Sequence, residues 1–341
     1  MPLNFGSQDF FGELVQRFSG LRSNSTVHVL LHSTNAQDAQ EAGAVRCSDP
    51  FELSDRVWIC RMPDYLRDVV YQVCEPHDEP PQKAFRQYGQ LYTIAHFAGP
   101  WTPGLVTSWD GDGLLSRFVP LAHLVHPTSM GFGSTAVLTF GPDGKFLHAS
   151  PGPCRGITEH AFCFPESRNW LSQSECEQIR ILFHGPDLST LPERVGRAVW
   201  NLERAAYEYF FEVRAMLVVS GLDALLHVRT PGTRMASTSR QFKERIVLLA
   251  SDLCIPFTKS DADAVWGHRS DVVHGRDPWA AMRAAQIGFQ VPATLPKNDP
   301  MVIRYLACEQ LLRSTALKCL AAPLFAGKFV SDQAVERAYP I

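Results

Sequence analysis

SDADAVWGHRSDVVHGR, residues 260–276, decides how the second half of this chain is read. Ser260 is a natural N-cap, with Asp263 three residues on as its reciprocal partner. Ala264, Val265 and Val272 recur at helical spacing, and Gly275 supplies a stop. The stretch therefore predicts a helix over about 260–274. Inside it, four residues separate Arg269 from His274. A guanidinium holds phosphate at any working pH, and an imidazole gives or takes a proton near neutrality. Together they suffice in principle for cutting a phosphodiester. Spacing alone says little, since Arg155 and His160 repeat it in a segment that reads as loop. Without context, Arg269 is a surface arginine and His274 a helix-end histidine favoured by the dipole.

Working outward, the sequence changes character near residue 166. Ser172 and Glu175 make a capping-box signal before CEQIRILF, and Thr190 with Glu193 repeats it, Pro192 lying in the first turn. Val195, Val199, Leu202, Ala206 and Phe210 follow at helical spacing. FEVRAMLVVSGLDALLH, residues 211–227, is apolar nearly all round and belongs at the centre of a bundle. Asp223 lies in that run and needs a partner; an arginine is the natural one, and Arg245 is expected to supply it as a structural pair. Phe242, Ile246 and Leu249 mark a further helix closed by Pro256. Residues 276–300 read mostly as loop. A last helix runs from about 301 to 322 through Val302, Tyr305, Leu306, Leu312 and Leu320, stopped by Pro323. An all-α domain of five or six helices is expected over 166–341.

The order of these motifs, LDALL, then FKERIVLLA, then RSDVVHG, resembles the HEPN superfamily, and within it the Apea-type branch. NWLSQSECEQIRIL resembles the lead-in helix of that branch. The likeness covers roughly residues 166–325. It implies a helical bundle that dimerises and often acts as a metal-independent ribonuclease. Arg269 and His274 match the family's Arg-x4-6-His motif, and Ser270 takes the polar position after the arginine. Domains joined to this module are often sensors, as in phage-defence proteins.

Helical geometry bears on this independently. Positions five apart on an ideal helix differ by about 140°. Arg269 and His274 should not converge on one phosphate within a straight helix, and a second copy across a twofold axis would supply the missing proximity. The expected activity is an RNA endonuclease, a defence or stress effector, working as a homodimer. His274 is the general acid or base, Arg269 the phosphate and transition-state group, and Ser270 and Asp271 orient them. No cluster of carboxylates or Cys/His ligands surrounds the motif, so neither metal nor cofactor is expected. The competing expectation is a non-catalytic dimeric module that binds RNA, a nucleotide or a protein.

Residues 1–165 read differently. A short amphipathic helix fits 8–18, and VHVLLH (27–32), RVWIC (56–60) and QLYTIAHF (90–97) read as strands. Residues 75–83 are loop by their prolines, and 113–127 is ambiguous: Pro120 argues against an uninterrupted helix, though a helix could start there. STAVLTF, GPDG and KFLHAS predict a hairpin. The fold class expected is α+β: a mixed α/β N-terminal domain, then the helical bundle. WDGDG opens like a calcium loop but Leu121 stands where its closing Glu belongs. His123 and His126 lack further zinc ligands, no phosphate-loop ending is present, and no G-x-S-x-G occurs. The N-terminal domain is expected to regulate or target, by a trigger its residues do not name.

Composition sets the outer bounds. The 341 residues are 45% hydrophobic and 20% charged, normal for a folded chain of two domains. From residue 191 onward 19 Lys and Arg face 15 Asp and Glu, while the remainder carries 13 against 20. A mildly basic C-terminal half permits RNA contact without demanding it. Nine cysteines without a CxxC, several in apolar stretches, read as reduced thiols of a cytoplasmic protein. No signal peptide and no membrane-spanning run is seen, so no membrane partner is expected.

Overall fold

The computed structural model describes residues 10–18, 24–33, 50–60, 62–74, 91–100, 113–127, 134–152, 171–208, 211–229, 237–276 and 299–341. The fold is α+β, an antiparallel sheet with helices followed by an all-helical region. Two compact units emerge, one drawn from elements up to residue 157 together with the helix at 173–184, the other from elements after 185.

The first unit is a six-stranded antiparallel sheet in the order β2-β3-β4-β1-β5-β6. The strands are β1 (Ser25–Ser33), β2 (Phe51–Ser54), β3 (Val57–Cys60), β4 (Leu91–Pro100), β5 (Ser134–Phe140) and β6 (Phe146–Pro151). Alternation along β1 sends Val27 and Val29 to one face, where Phe11 and Leu14 of α1 (Phe10–Phe18) and Leu66 and Val70 of α2 (Asp64–Cys74) complete the core. His28 and Leu30 fall on the other face, and the His28 and His96 rings meet edge to face at 5.5 Å across the β1–β4 pair. The 134–151 hairpin forms as expected, its turn closed by Gly144 at φ +76°. Helix α3 (Leu114–Val125) runs through Pro120 without a break, against the expectation. Leu115, Phe118, Val119, Leu121, Ala122 and Leu124 are all buried, and that burial outweighs the ~3 kcal/mol local cost of an interior proline.

Helix α4 (Gln173–His184) has the expected capping box: Ser172 N–H donates to Glu175 at 2.8 Å and Glu175 N–H to Ser172 at 3.4 Å. This helix packs within the first unit. Arg117 donates to the Leu182 carbonyl at 3.0 Å, His126 Nδ1 lies 3.1 Å from Glu175, and the Arg180 guanidinium sits 5.8 Å from the Phe51 ring centroid.

The second unit is organised around α6 (Phe211–Leu226), which touches α5 (Glu193–Ala206), α7 (Thr238–Asp252), α8 (Lys259–Val273) and α9 (Pro300–Ala321). The Thr190–Glu193 capping box does not form. Thr190 ends a short 3-10 turn, its hydroxyl donating to Asp187 O at 2.6 Å, and Pro192 is the N-cap of α5. Gly221 marks the tightest approach: a Cβ there would lie 3.1 Å from Leu312 and 3.2 Å from Asn201. Beyond the expected stop at Pro323 the chain adds α10 (Pro323–Ala326), a 3-10 turn (Gly327–Phe329) and α11 (Asp332–Ala338). Tyr339 follows, buried.

Helices α6 and α9 share a buried charge cluster that the sequence reading did not anticipate. Glu309 receives Arg214 through both oxygens, at 2.7 and 3.2 Å, and Arg313 at 2.6 Å. Burial alone would raise the Glu309 carboxyl, but the two guanidiniums and their hydrogen bonds outweigh it and hold the group at about 2. A carboxyl lowered in the fold stabilises it above the unfolded value of 4.5 and loses that contribution as pH falls toward about 2. Denaturant titration of Glu309→Gln should show a loss of roughly 3–5 kcal/mol at pH 7, because two buried arginines are left underpaired. The difference from wild type should shrink between pH 4.5 and 2. A loss below about 1 kcal/mol would mean the pair is exchangeable with neutral packing.

Candidate active site on the face between helices α6 and α8

Helix α8 starts two residues earlier than its sequence suggests. Thr258, not Ser260, is the N-cap: Asp261 N–H donates to its hydroxyl at 3.2 Å while Thr258 N–H and O–H donate to the Asp261 carboxylate at 2.9 and 2.6 Å. Phe257 and Ala262 are both buried, spaced as a hydrophobic staple around that cap. Asp263, the expected cap partner, pairs with Lys243 at 2.8 Å instead. The helix ends where expected. Gly275 at φ +66° takes the left-handed position, with Gly275 N–H donating to Val272 O at 3.1 Å and Arg276 N–H to Asp271 O at 2.7 Å. This Schellman closure makes His274 the C-cap residue.

The four residues singled out in the sequence are therefore distributed around the end of one helix. Ala262, Val265 and His268 form its buried stripe, His268 Nδ1 lying 2.7 Å from the Tyr305 hydroxyl. Arg269 is half-buried: its guanidinium carbon sits 4.7 Å from the Trp266 ring centroid, and Trp266 packs on Phe242 of α7 at 4.9 Å. Ser270 is half-buried, and its carbonyl accepts the His274 N–H at 3.0 Å. Asp271 is half-buried and lies 3.9 Å from Arg276. His274 is exposed. No hydrogen bond or ion pair joins Arg269 to His274 among the described residues.

The Arg269 charge acts instead on Asp223 of α6, as does that of His227 just past the helix end. Burial raises the Asp223 carboxyl above its usual value, and the charges of His227 and Arg269 pull against that rise. Among the described residues, Asp223 Oδ1, His227 Nδ1 and Arg269 Nε are each buried without a hydrogen-bond partner. Each unpartnered buried polar atom is a cost that a purely structural arrangement would avoid. The expected Asp223–Arg245 pair does not form. Arg245 is consumed elsewhere, donating to the carbonyls of Leu226 and Tyr339 at 3.0 Å each and to Gln241 at 2.6 Å. The reason is positional: the last carbonyls of α6 have no intrahelical partners and carry the negative end of the helix dipole.

Those carbonyls are capped twice over. Arg245 takes Leu226 O, while Arg194 of α5 reaches Ala224 O, at 3.4 Å, and His227 O. Arg194 also pairs with Asp332, which accepts the Arg229 N–H at 2.7 Å, and Val228 N–H donates to Gln241 at 3.0 Å. The backbone around His227 is thus fixed at successive residues. Asp223 and His227 lie four residues apart on the helical path, so their side chains share a face. His227 was missed in the sequence. Its signal was the Asp-x3-His spacing at the end of LDALLH, read there as core pattern. Among the described residues, no three His, Cys, Asp or Glu side chains gather as a metal site would require.

A group that costs stability for another purpose leaves a measurable trace. A carboxyl raised in the fold destabilises it wherever it is ionised in both states, and that penalty vanishes below the unfolded value of 3.8. Asp223→Asn should therefore raise the melting temperature at pH 7 by a few degrees, on the order of 1 kcal/mol. The gain should disappear as pH is lowered through 4. A fall in melting temperature at pH 7 would show Asp223 to be a structural anchor. The chain matches no family model, no curated protein and no solved structure.

Proposed function

We propose that the helical unit is a HEPN-type bundle and cleaves RNA by metal-independent transesterification. The observation that carries this reading is Arg269: its guanidinium sits 4.7 Å from the Trp266 ring centroid, and its buried Nε has no hydrogen-bond partner among the described residues. A solvated surface arginine has no need of such a seat. Stacking on an aromatic fixes the planar fork and leaves its N–H groups for an anion, and a phosphodiester is the planar fork's natural acceptor.

In the proposed reaction Arg269 binds the phosphate and stabilises the charge that grows on its oxygens. RNA brings its own nucleophile, the 2′-OH, already beside phosphorus. His274 transfers a proton near neutral pH, and the exposed C-cap position leaves its ring accessible to a substrate or a second chain. Ser270 holds the His274 backbone through its carbonyl, and Asp271 completes the turn that presents it. Because Arg269 and His274 leave the helix in different directions, the composite site takes Arg269 from one copy and His274 from its partner. A cytoplasmic effector regulated through the N-terminal unit fits this arrangement. The exposure of His274 also suits the second reading, a non-catalytic dimeric module that binds RNA, a nucleotide or a protein.

Cleavage should proceed in EDTA, yield 2′,3′-cyclic phosphate ends and spare DNA. His274→Ala should slow it on the order of 10²-fold or more, and Arg269→Lys should fail comparably because an ammonium lacks the fork. Mixing the inactive Arg269→Ala and His274→Ala chains should restore about a quarter of wild-type activity, since half of randomly paired dimers keep one intact site of two. Binding of RNA without cleavage would favour the second reading. Magnesium-dependent products with 5′-phosphates would overturn the mechanism.

A further inference from the structure

The outward face of α5 takes no part in the site described above. Glu193, Arg197, Trp200 and Arg204 are exposed on it, three or four residues apart and so aligned along one side of the helix. Val195, Val199 and Leu202 are buried, so the stripe through Trp200 is turned away from the helices that α5 packs on. Trp200 is 58% exposed, and no other tryptophan among the described residues is exposed. The Arg204 guanidinium carbon lies 5.2 Å from the Trp200 ring centroid. Among the described residues no aromatic ring stacks on Trp200, and Arg204 enters no hydrogen bond or ion pair. Arg197 pairs with Glu193 at 3.3 Å, and both are well exposed, so salt screens the pair and a phosphate displaces it at little cost. Gly196 lies one turn before Trp200 on the same side. A glycine within a helix weakens it relative to alanine. Packing does not require this one: a Cβ at 196 would meet nothing within 4 Å. The position leaves open space one turn from the indole.

We propose that this face is a stacking platform for single-stranded RNA. A base lies on the Trp200 indole over the open position at Gly196, and Arg197 and Arg204 hold phosphates on either side. This rests on the RNA reading above and adds to it the means by which the strand is held. The two arginines are seven residues apart, about 10 Å along the helix axis, with the indole between them. An aromatic face between cations takes a single strand because every base has a π face and every linkage carries negative charge. A protein partner is the poorer match. The core of a protein interface is depleted of charge, whereas charged side chains flank Trp200 along the helix on both sides. A duplex offers no free base face, since its bases are already stacked.

The test reads, by anisotropy at several salt concentrations, how the full-length chain binds a fluorescein-labelled single-stranded RNA made uncleavable by 2′-deoxy substitution. Trp200→Ala should weaken binding about tenfold or more, while Trp200→Phe, which keeps a ring face, should stay within about threefold of wild type. Gly196→Leu should weaken binding comparably to Trp200→Ala, with a melting temperature at or above wild type, because leucine is the better helix former and has room. Arg197→Gln and Arg204→Gln should each reduce the salt slope by about 0.7, the value for one phosphate contact on a single strand. On cleavable RNA, Trp200→Ala should raise KM and leave kcat within about twofold, since the platform touches no reacting atom. Annealing the oligonucleotide to its complement should abolish the difference between wild type and Trp200→Ala. Wild-type affinity from both Trp200→Ala and Gly196→Leu would overturn the proposal and leave RNA cleavage standing. So would a Trp200→Ala chain whose oligomeric state changes in light scattering while its RNA affinity does not, which would make the face a protein interface. A wild-type chain that binds no single-stranded RNA would take down the RNA reading and this one with it.

Discussion

Helix α6 has almost no face to give to water, and the second unit is arranged to cover it. Phe211, Ala215, Val218, Val219, Leu222, Leu225 and Leu226 are all buried, so neighbours are required on every side. Four helices supply them, and Gly221 lets two come close. Covering such a helix creates a second demand. Its few polar groups lose water, and each must find a partner or remain a cost. Arg214 finds Glu309. The terminal carbonyls find Arg194 and Arg245. Asp223 Oδ1 and, just past the helix end, His227 Nδ1 are among the buried atoms without a hydrogen bond among the described residues.

The same chain that saturates Glu309 with three hydrogen bonds leaves Asp223 Oδ1, His227 Nδ1 and Arg269 Nε without hydrogen-bond partners among the described residues. Arginine was available nearby: Arg245 lies on the adjacent helix and spends its donors on carbonyls. Placing Arg269 over Trp266 keeps its cation in place through the ring face, which uses none of its N–H donors. The result is a cation, an acid and an imidazole held by their backbones and stems, with polar atoms to spare.

Much of the architecture was legible because it rests on local rules. Branched and aromatic content exposed β1, β3 and β4, the GPDG turn exposed the 134–151 hairpin, and an apolar run of helix length identified α6 as central. The end of α8 was readable from Gly275, since only a residue tolerant of positive φ closes a Schellman turn cheaply. Its start was not. Thr258 and Ser260 are equally good caps by type, and the buried Phe257 and Ala262 decide between them through tertiary contacts. Helix α3 survived Pro120 for the same reason. The terminal elements after Pro323 are too short to carry a periodic signal.

The site was half legible. Arg269 and His274 stand out by chemistry and spacing, but spacing does not say which neighbours a side chain meets. Pairing Asp223 with Arg245 was a guess from charge alone, overturned by helix-end carbonyls that a residue pattern does not display. His227 was hidden because a histidine closing an apolar helix looks like any other core-edge residue. The central claim is that Arg269, seated on the Trp266 ring, receives a phosphate. The Arg269 Nε–H resonance, assigned by its loss in Arg269→Lys, tests it most directly during titration with an RNA oligonucleotide made uncleavable by 2′-deoxy substitution. The account predicts a large shift of that resonance, saturating at one oligonucleotide per site. Binding that leaves it unmoved would contradict it.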